Sequence, residues 1–177
     1  MNVRTHAAIV AAIGACVSLG LAIQVRAGAD QVAFPEAYAK GVKYLVVDKP
    51  TKQVHEFYAS PAAIEAARKG EPMPDGTVLT GVLYNAKLGD DGNPLKGADG
   101  RFIKADLRGY AVMEKRAGWG TEYPADKRNG EWEYRVFTAD KAANEKANLG
   151  ACFECHKPQA THDFVYSYDN LKTAEYK

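Results

Sequence analysis

The pentapeptide Cys152-Phe153-Glu154-Cys155-His156, close to the C-terminus, constrains this chain more than any other stretch. C-x-x-C-H is the attachment signature of a c-type haem. Two thiols separated by two residues reach the two vinyl groups of one porphyrin and form thioethers. The His that follows is then held beneath the iron, where an imidazole nitrogen serves as proximal ligand. Other uses of the spacing fare worse. A zinc site needs two more Cys or His ligands, and outside the motif residues 30–177 offer only His55 and His162. A thioredoxin-like dithiol sits early, after a first strand. The remaining chain therefore reads as a box around one covalent haem c, bound by Cys152 and Cys155 and ligated by His156.

Residues 1–29 read as an address and not as part of that box. Met1 to Arg4 is a short basic start, and Ala7 to Ile23 is an almost unbroken apolar stretch. Val25-Arg26-Ala27 and Ala27-Gly28-Ala29 are both small-residue cleavage sites, so the segment reads as a secretory signal peptide. Its length approaches that of a membrane anchor, but the small residues and the cleavage sites favour removal, here expected after Ala29. Cys16 is a poor lipoprotein acceptor because the apolar run continues beyond it. Covalent haem is assembled outside the bacterial inner membrane, so leader and motif give one address, the periplasm. Removing Cys16 leaves no surplus thiol and hence no disulfide framework.

Losing Arg4 and Arg26 from 23 basic residues leaves 21, against 22 acidic ones. A balance so close to neutral gives no case for nucleic-acid binding, which needs a clustered basic field. Small ligands and a redox partner protein fit better.

Residues 30–177 form one domain. Tyr44 to Val47, Gln53 to Tyr58, Thr77 to Tyr84, Leu107 to Glu114 and Glu131 to Phe137 read as strands, the first two as a hairpin turning at Asp48-Lys49-Pro50. In the last, Trp132, Tyr134 and Val136 alternate with Glu133 and Arg135, the pattern of a half-buried antiparallel strand. Ser60-Pro61 starts a helix that ends at Gly70. Thr138-Ala139-Asp140 starts another, reaching toward Gly150. Phe164 to Tyr168 is a final strand or helical turn. The Gly- and Asp-rich stretch from Leu88 to Gly100 is an exposed loop; it lacks the closing Glu of an EF-hand and so is no calcium site. The class is α+β, mainly antiparallel sheet with short helices.

The iron's second axial position decides between electron transfer and ligand binding. No Met follows His156; Met73, between two prolines, and Met113, on an apolar strand, are the only Met candidates upstream. Without them the iron is open or weakly capped, and aromatic residues such as Phe57, Tyr58, Tyr84 and Tyr110 are available to line it. His55 is notable because it interrupts an apolar strand, although alternation can equally turn it outward.

The run Ala151 to Lys157, with Ala160 and Asp163-Phe164-Val165, resembles the cytochrome P-460 family and its relative cytochrome c′-beta. Asp75-Gly76-Thr77-Val78 before a strand, Glu114 at a strand end, and Trp132 with Phe137 fit the same pattern. The resemblance spans about Phe34 to Leu171. It implies an antiparallel sandwich or barrel-like sheet around one haem, with the last helix carrying the attachment motif, assembled as a homodimer. Family members either oxidise hydroxylamine with a haem cross-linked to a Lys, or lack that link and bind nitric oxide or carbon monoxide. Here the cross-linking position is Gly81, which has no amine, and Pro158 stands where some members carry a carboxylate. His55 falls where the family can carry a polar distal residue. His55 and Glu114 are thus the candidate catalytic bases should hydroxylamine or nitric oxide be turned over. The resemblance leads us to expect a periplasmic monohaem cytochrome that binds nitric oxide or passes electrons, with hydroxylamine oxidation or Met-ligated electron transfer as alternatives.

Overall fold

A computed structural model describes residues 28–176 of the 177. The basic start, the apolar stretch and Cys16 lie outside the described residues. Five antiparallel strands follow one another in chain order: β1 (Val42–Lys49), β2 (Gln53–Ala59), β3 (Val78–Ala86), β4 (Lys104–Lys115) and β5 (Trp132–Thr138). Each pairs only with its chain neighbours, so the sheet is an open meander with β1 and β5 as edges. The expected α+β class with an antiparallel sheet is what the chain adopts. The sheet neither closes into a barrel nor meets a second sheet; helices and an N-terminal segment cover its faces instead.

Among the described residues three short α-helices complete it: α1 (Pro61–Lys69), α2 (Leu149–His156) and α3 (Tyr168–Lys172). The side chain of Ser60 caps α1 by accepting from Ala63 N at 3.2 Å, and Gly70 ends it in the left-handed region at φ 73°. Both devices satisfy backbone groups that a helix end leaves unpaired.

Strand alternation sorts the sheet into two faces. On one, Leu79, Met113, Trp132 and Tyr134 bury themselves against Ala63 and Ile64 of α1, Phe153 of α2 and Leu171 of α3. On the other, Val82, Tyr110, Val112 and Phe137 pack under Val32, Phe34 and Tyr38. Phe34 meets the rings of Tyr110 and Phe137 edge-on at 4.8 and 5.4 Å, a favoured aromatic geometry. We call these the helix face and the strap face.

The strap corrects one expectation. Glu133 and Arg135 do alternate with Trp132 and Tyr134, yet they are 0% and 9% exposed. Gly28 lies over Glu133, and Ala29 and Asp30 over Arg135.

A second correction concerns residues 138–148. Thr138 ends β5, the residues after it form turns and a bridge to Phe137 instead of a helix, and the helix begins only at Leu149. Ala, Lys and Glu are good helix formers, but here the backbone folds back on β5. Asn144 N donates to Val136 O at 2.9 Å, Thr138 N to Ala142 O at 2.9 Å, and Lys141 turns at φ 68°. Tertiary pairing outweighs propensity.

Candidate haem site

The C-x-x-C-H motif occupies α2, which α3 follows, so the motif is not on the last helix as expected; the first turn of α2 is capped by Asn148 Oδ1 accepting from Ala151 N. Cys152 and Cys155 are three apart, so they share one side of the helix; both are free thiols, Cys152 half-buried and Cys155 exposed. Burial raises the Cys152 thiol above its ordinary pKa, with the neighbouring Cys155 adding to the effect.

Two side chains clamp this helix to the loop before β5. Asn129, fully buried, donates through Nδ2 to Phe153 O at 2.9 Å and to Tyr134 Oη at 3.0 Å. Lys157 Nζ, just past the motif, donates to Asp126 O at 2.6 Å and Arg128 O at 3.2 Å. The helix cannot slide along β5 without breaking both.

His156 is half-buried, its ring centroid 5.0 Å from that of Tyr134. Its Nδ1 lies 2.8 Å from Phe164 O. A carbonyl only accepts, so Nδ1 carries the proton and Nε2 keeps its lone pair. Burial holds the imidazole below its ordinary pKa, the bond to Phe164 opposing this. Asp163 and Phe164 both sit in the left-handed region, at φ 50° and 60°, which turns the Phe164 carbonyl back toward the motif. The carboxylate of Asp163 stabilises that turn by accepting from Lys115 Nζ and from Met73 N, each at 2.8 Å.

The rung of the helix face next to this cluster is apolar. Strand register aligns Leu45, Phe57, Gly81, Ala111 and Val136 across all five strands. Val136 follows Tyr134 on this face of β5. Gly81 is buried, but the four side chains of the rung are only half-buried, unlike the fully buried Leu79–Met113–Tyr134 rung beside it. One rung further on stand Val47, His55 and Leu83, also half-buried.

The profile of the Cytochrome P460 family matches residues 35–167. The chain belongs to the cytochrome P460 family. It is therefore a haem cytochrome of the c type. No curated protein matches the sequence significantly.

The residues present suit such a group. Two thiols on one side of a helix, an imidazole with its outer nitrogen bonded and its inner one free, and an adjacent apolar surface are the donors and bed that a thioether-linked haem requires.

The other candidates from the sequence fall in different places. His55 shares the helix face with the apolar rung. Its Nε2 is 2.9 Å from Gln53 Oε1, and burial, helped by Lys49 and Arg108, lowers its pKa to about 4. Glu114 pairs with Val78 and Glu133 and points, by alternation from Met113, to the strap face. There its carboxylate takes Arg116 at 2.7 Å. The structure thus does not bring Glu114 to His156. Met73 and Met113 are 2% and 7% exposed and packed into the core with Phe153.

Asn129, Lys157, Lys115 and the Phe164 carbonyl were not singled out for these roles from sequence. The last is a backbone atom, and no side-chain pattern reports it. Lys157 sat in view as the residue after the motif, but only its three-dimensional reach shows that it binds loop carbonyls.

Proposed function

We propose that this cytochrome is a periplasmic monohaem protein that binds a small, weakly polar ligand such as nitric oxide and exchanges single electrons with a partner protein. In this reading Cys152 and Cys155 would hold the haem through thioethers and His156 Nε2 would ligate its iron. The haem would supply a redox-active iron able to take a small exogenous ligand.

The observation that carries the reading is the apolar rung Leu45–Phe57–Gly81–Ala111–Val136, next along the helix face from Tyr134, whose ring meets His156. Its side chains offer no hydrogen-bond donor or acceptor. A surface of that kind admits neutral diatomic gases and leaves water and anions poorly solvated. The burial of Met73 and Met113 in a filled core favours an open position over Met ligation, because both thioethers are already packed against neighbouring side chains.

Hydroxylamine oxidation is less well supported. Removing protons from hydroxylamine calls for a base whose pKa lies near the working pH. His55, at about 4, is a weak one, Glu114 faces away, and Gly81 has no amine for a cross-link. Ligand discrimination tests the proposal. The reduced protein should bind carbon monoxide and nitric oxide, while the oxidised protein should bind azide or fluoride poorly. Tight anion binding would contradict an apolar ligand side.

A further inference from the structure

The strap face holds a carboxylate for which the haem site has no use. Glu133 is fully buried; Oε2 accepts from Tyr123 Oη at 3.2 Å, while Oε1 has no hydrogen-bond partner among the described residues. Burial pushes this carboxyl up to about 8, Tyr123 opposing and Glu122 adding. A buried carboxyl with an empty oxygen is costly, and a cation beside it would remove most of that cost.

What packs against Glu133 is Gly28. A Cβ at Gly28 would lie 2.4 Å from Oε1 and 2.3 Å from Cδ, so only glycine fits, and it sits at φ +41°. The Gly28 Cα is therefore within about 4 Å of Oε1, and its nitrogen is one bond of about 1.5 Å further at most. Two residues along the same strand, Arg135 donates to Ala29 O at 2.9 Å and pairs with Asp30 at 2.5 Å. Ala29 and Val32 are themselves buried. β5 thus presents a carboxyl group to Gly28 and a positive group to the carbonyl of Ala29 and the carboxylate of Asp30.

We propose that peptidase cleavage after Ala27 makes Gly28 the first residue of the exported protein, and that its new α-amino group docks on the carboxylate of Glu133. Hydrolysis of the Ala27–Gly28 bond consumes one water, leaves a carboxylate on Ala27 and frees an amine on Gly28 that is protonated at neutral pH. The docked ammonium supplies the cation that Glu133 lacks. Both Val25-Arg26-Ala27 and Ala27-Gly28-Ala29 satisfy the small-residue rule, and the contacts of Gly28 and Ala29 with β5 favour the cut that keeps both residues. Cleavage after Ala29, expected from the sequence, would discard Gly28, leave Glu133 Oε1 without a cation beside it and take a carbonyl from Arg135. The proposal rests on the export reading.

Intact-mass analysis of the full chain, purified from the periplasm of a secreting host, tests the site. A chain starting at Gly28 is expected. A start at Asp30 would overturn the proposal and leave export standing; a chain retaining residues 1–27 would overturn both. Docking is read by labelling the α-amine with isotopic methyl groups and titrating it by NMR. Its pKa should stand well above the ordinary value of about 7.7–8.0 and return to it in Glu133→Gln. An ordinary value in the parent protein would overturn docking. Should Glu133→Gln fail to fold, one Ser inserted before Gly28 displaces the amine instead. That extension should lower the folding equilibrium constant about tenfold, the equivalent of one pKa unit, and an unchanged constant would overturn the proposal.

Discussion

Phe164 O lies 2.8 Å from His156 Nδ1, and that bond decides which imidazole nitrogen is free. The acceptor is eight residues past the ligand, in a left-handed turn pinned by Asp163 to Lys115 and Met73. Proximal geometry is thereby tied to a strand of the sheet as well as to the helix that carries the motif.

Asp163→Asn keeps a residue that tolerates the left-handed conformation but removes the partner of Lys115. Both side chains are mostly buried, at 11% and 15% exposure. We expect a loss of about 3 kcal/mol, the low end for breaking a buried ion pair. The ferric electron paramagnetic resonance signal should also broaden as His156 loses its fixed orientation. Urea unfolding and that spectrum check the two parts; an unchanged signal would detach Asp163 from the proximal ligand.

Asn129→Ala should destabilise the protein by about 1–3 kcal/mol, since it strips Phe153 O and Tyr134 Oη of a buried donor. Haem incorporation should fall with it, because α2 loses one of its two clamps. Haem content per polypeptide, with thermal melting, provides the check.

Phe57→Ala should act on ligand entry more than on folding. The ring is half-buried and touches Tyr44 and His55, so the stability cost should stay near about 1–2 kcal/mol, below that of a fully buried Phe. Carbon monoxide should bind the reduced protein faster, followed by flash photolysis. Gly81→Ala should act in the same place by a different route, as its Cβ would press on the Phe57 ring at 3.2 Å.

His55 gives a pH dependence of defined sign. Its folded pKa of about 4 lies below the ordinary 6.5, so between those values the unfolded chain binds the extra proton. Stability should therefore rise as pH increases from about 4 to about 6.5 and be lost in the reverse direction. Partial exposure screens the effect to about 1 kcal/mol. Unfolding free energies across that window should flatten in His55→Gln.

How much of this was legible in the sequence differs from element to element. The five strands were, because runs such as Tyr44 to Val47 and Thr77 to Tyr84 combine β-branched residues with clear turn signals, and Ser60-Pro61 announced α1. The helix expected after Thr138 failed because it has formers without an apolar stripe, and pairing with Val136 captured it. Glu133 and Arg135 alternate as a solvent face would; no local pattern says that residues a hundred positions earlier cover them. The parity of Met113 and Glu114 was readable, but not which face the motif would choose. That choice depends on Phe153 packing against Tyr134, a tertiary contact.

The most direct measurement is the absorption spectrum of the reduced protein before and after adding nitric oxide. A five-coordinate, high-spin spectrum that shifts on adding the gas is the predicted result. A low-spin spectrum indifferent to nitric oxide would contradict it, because a protein side chain would then already hold the position we assign to the ligand.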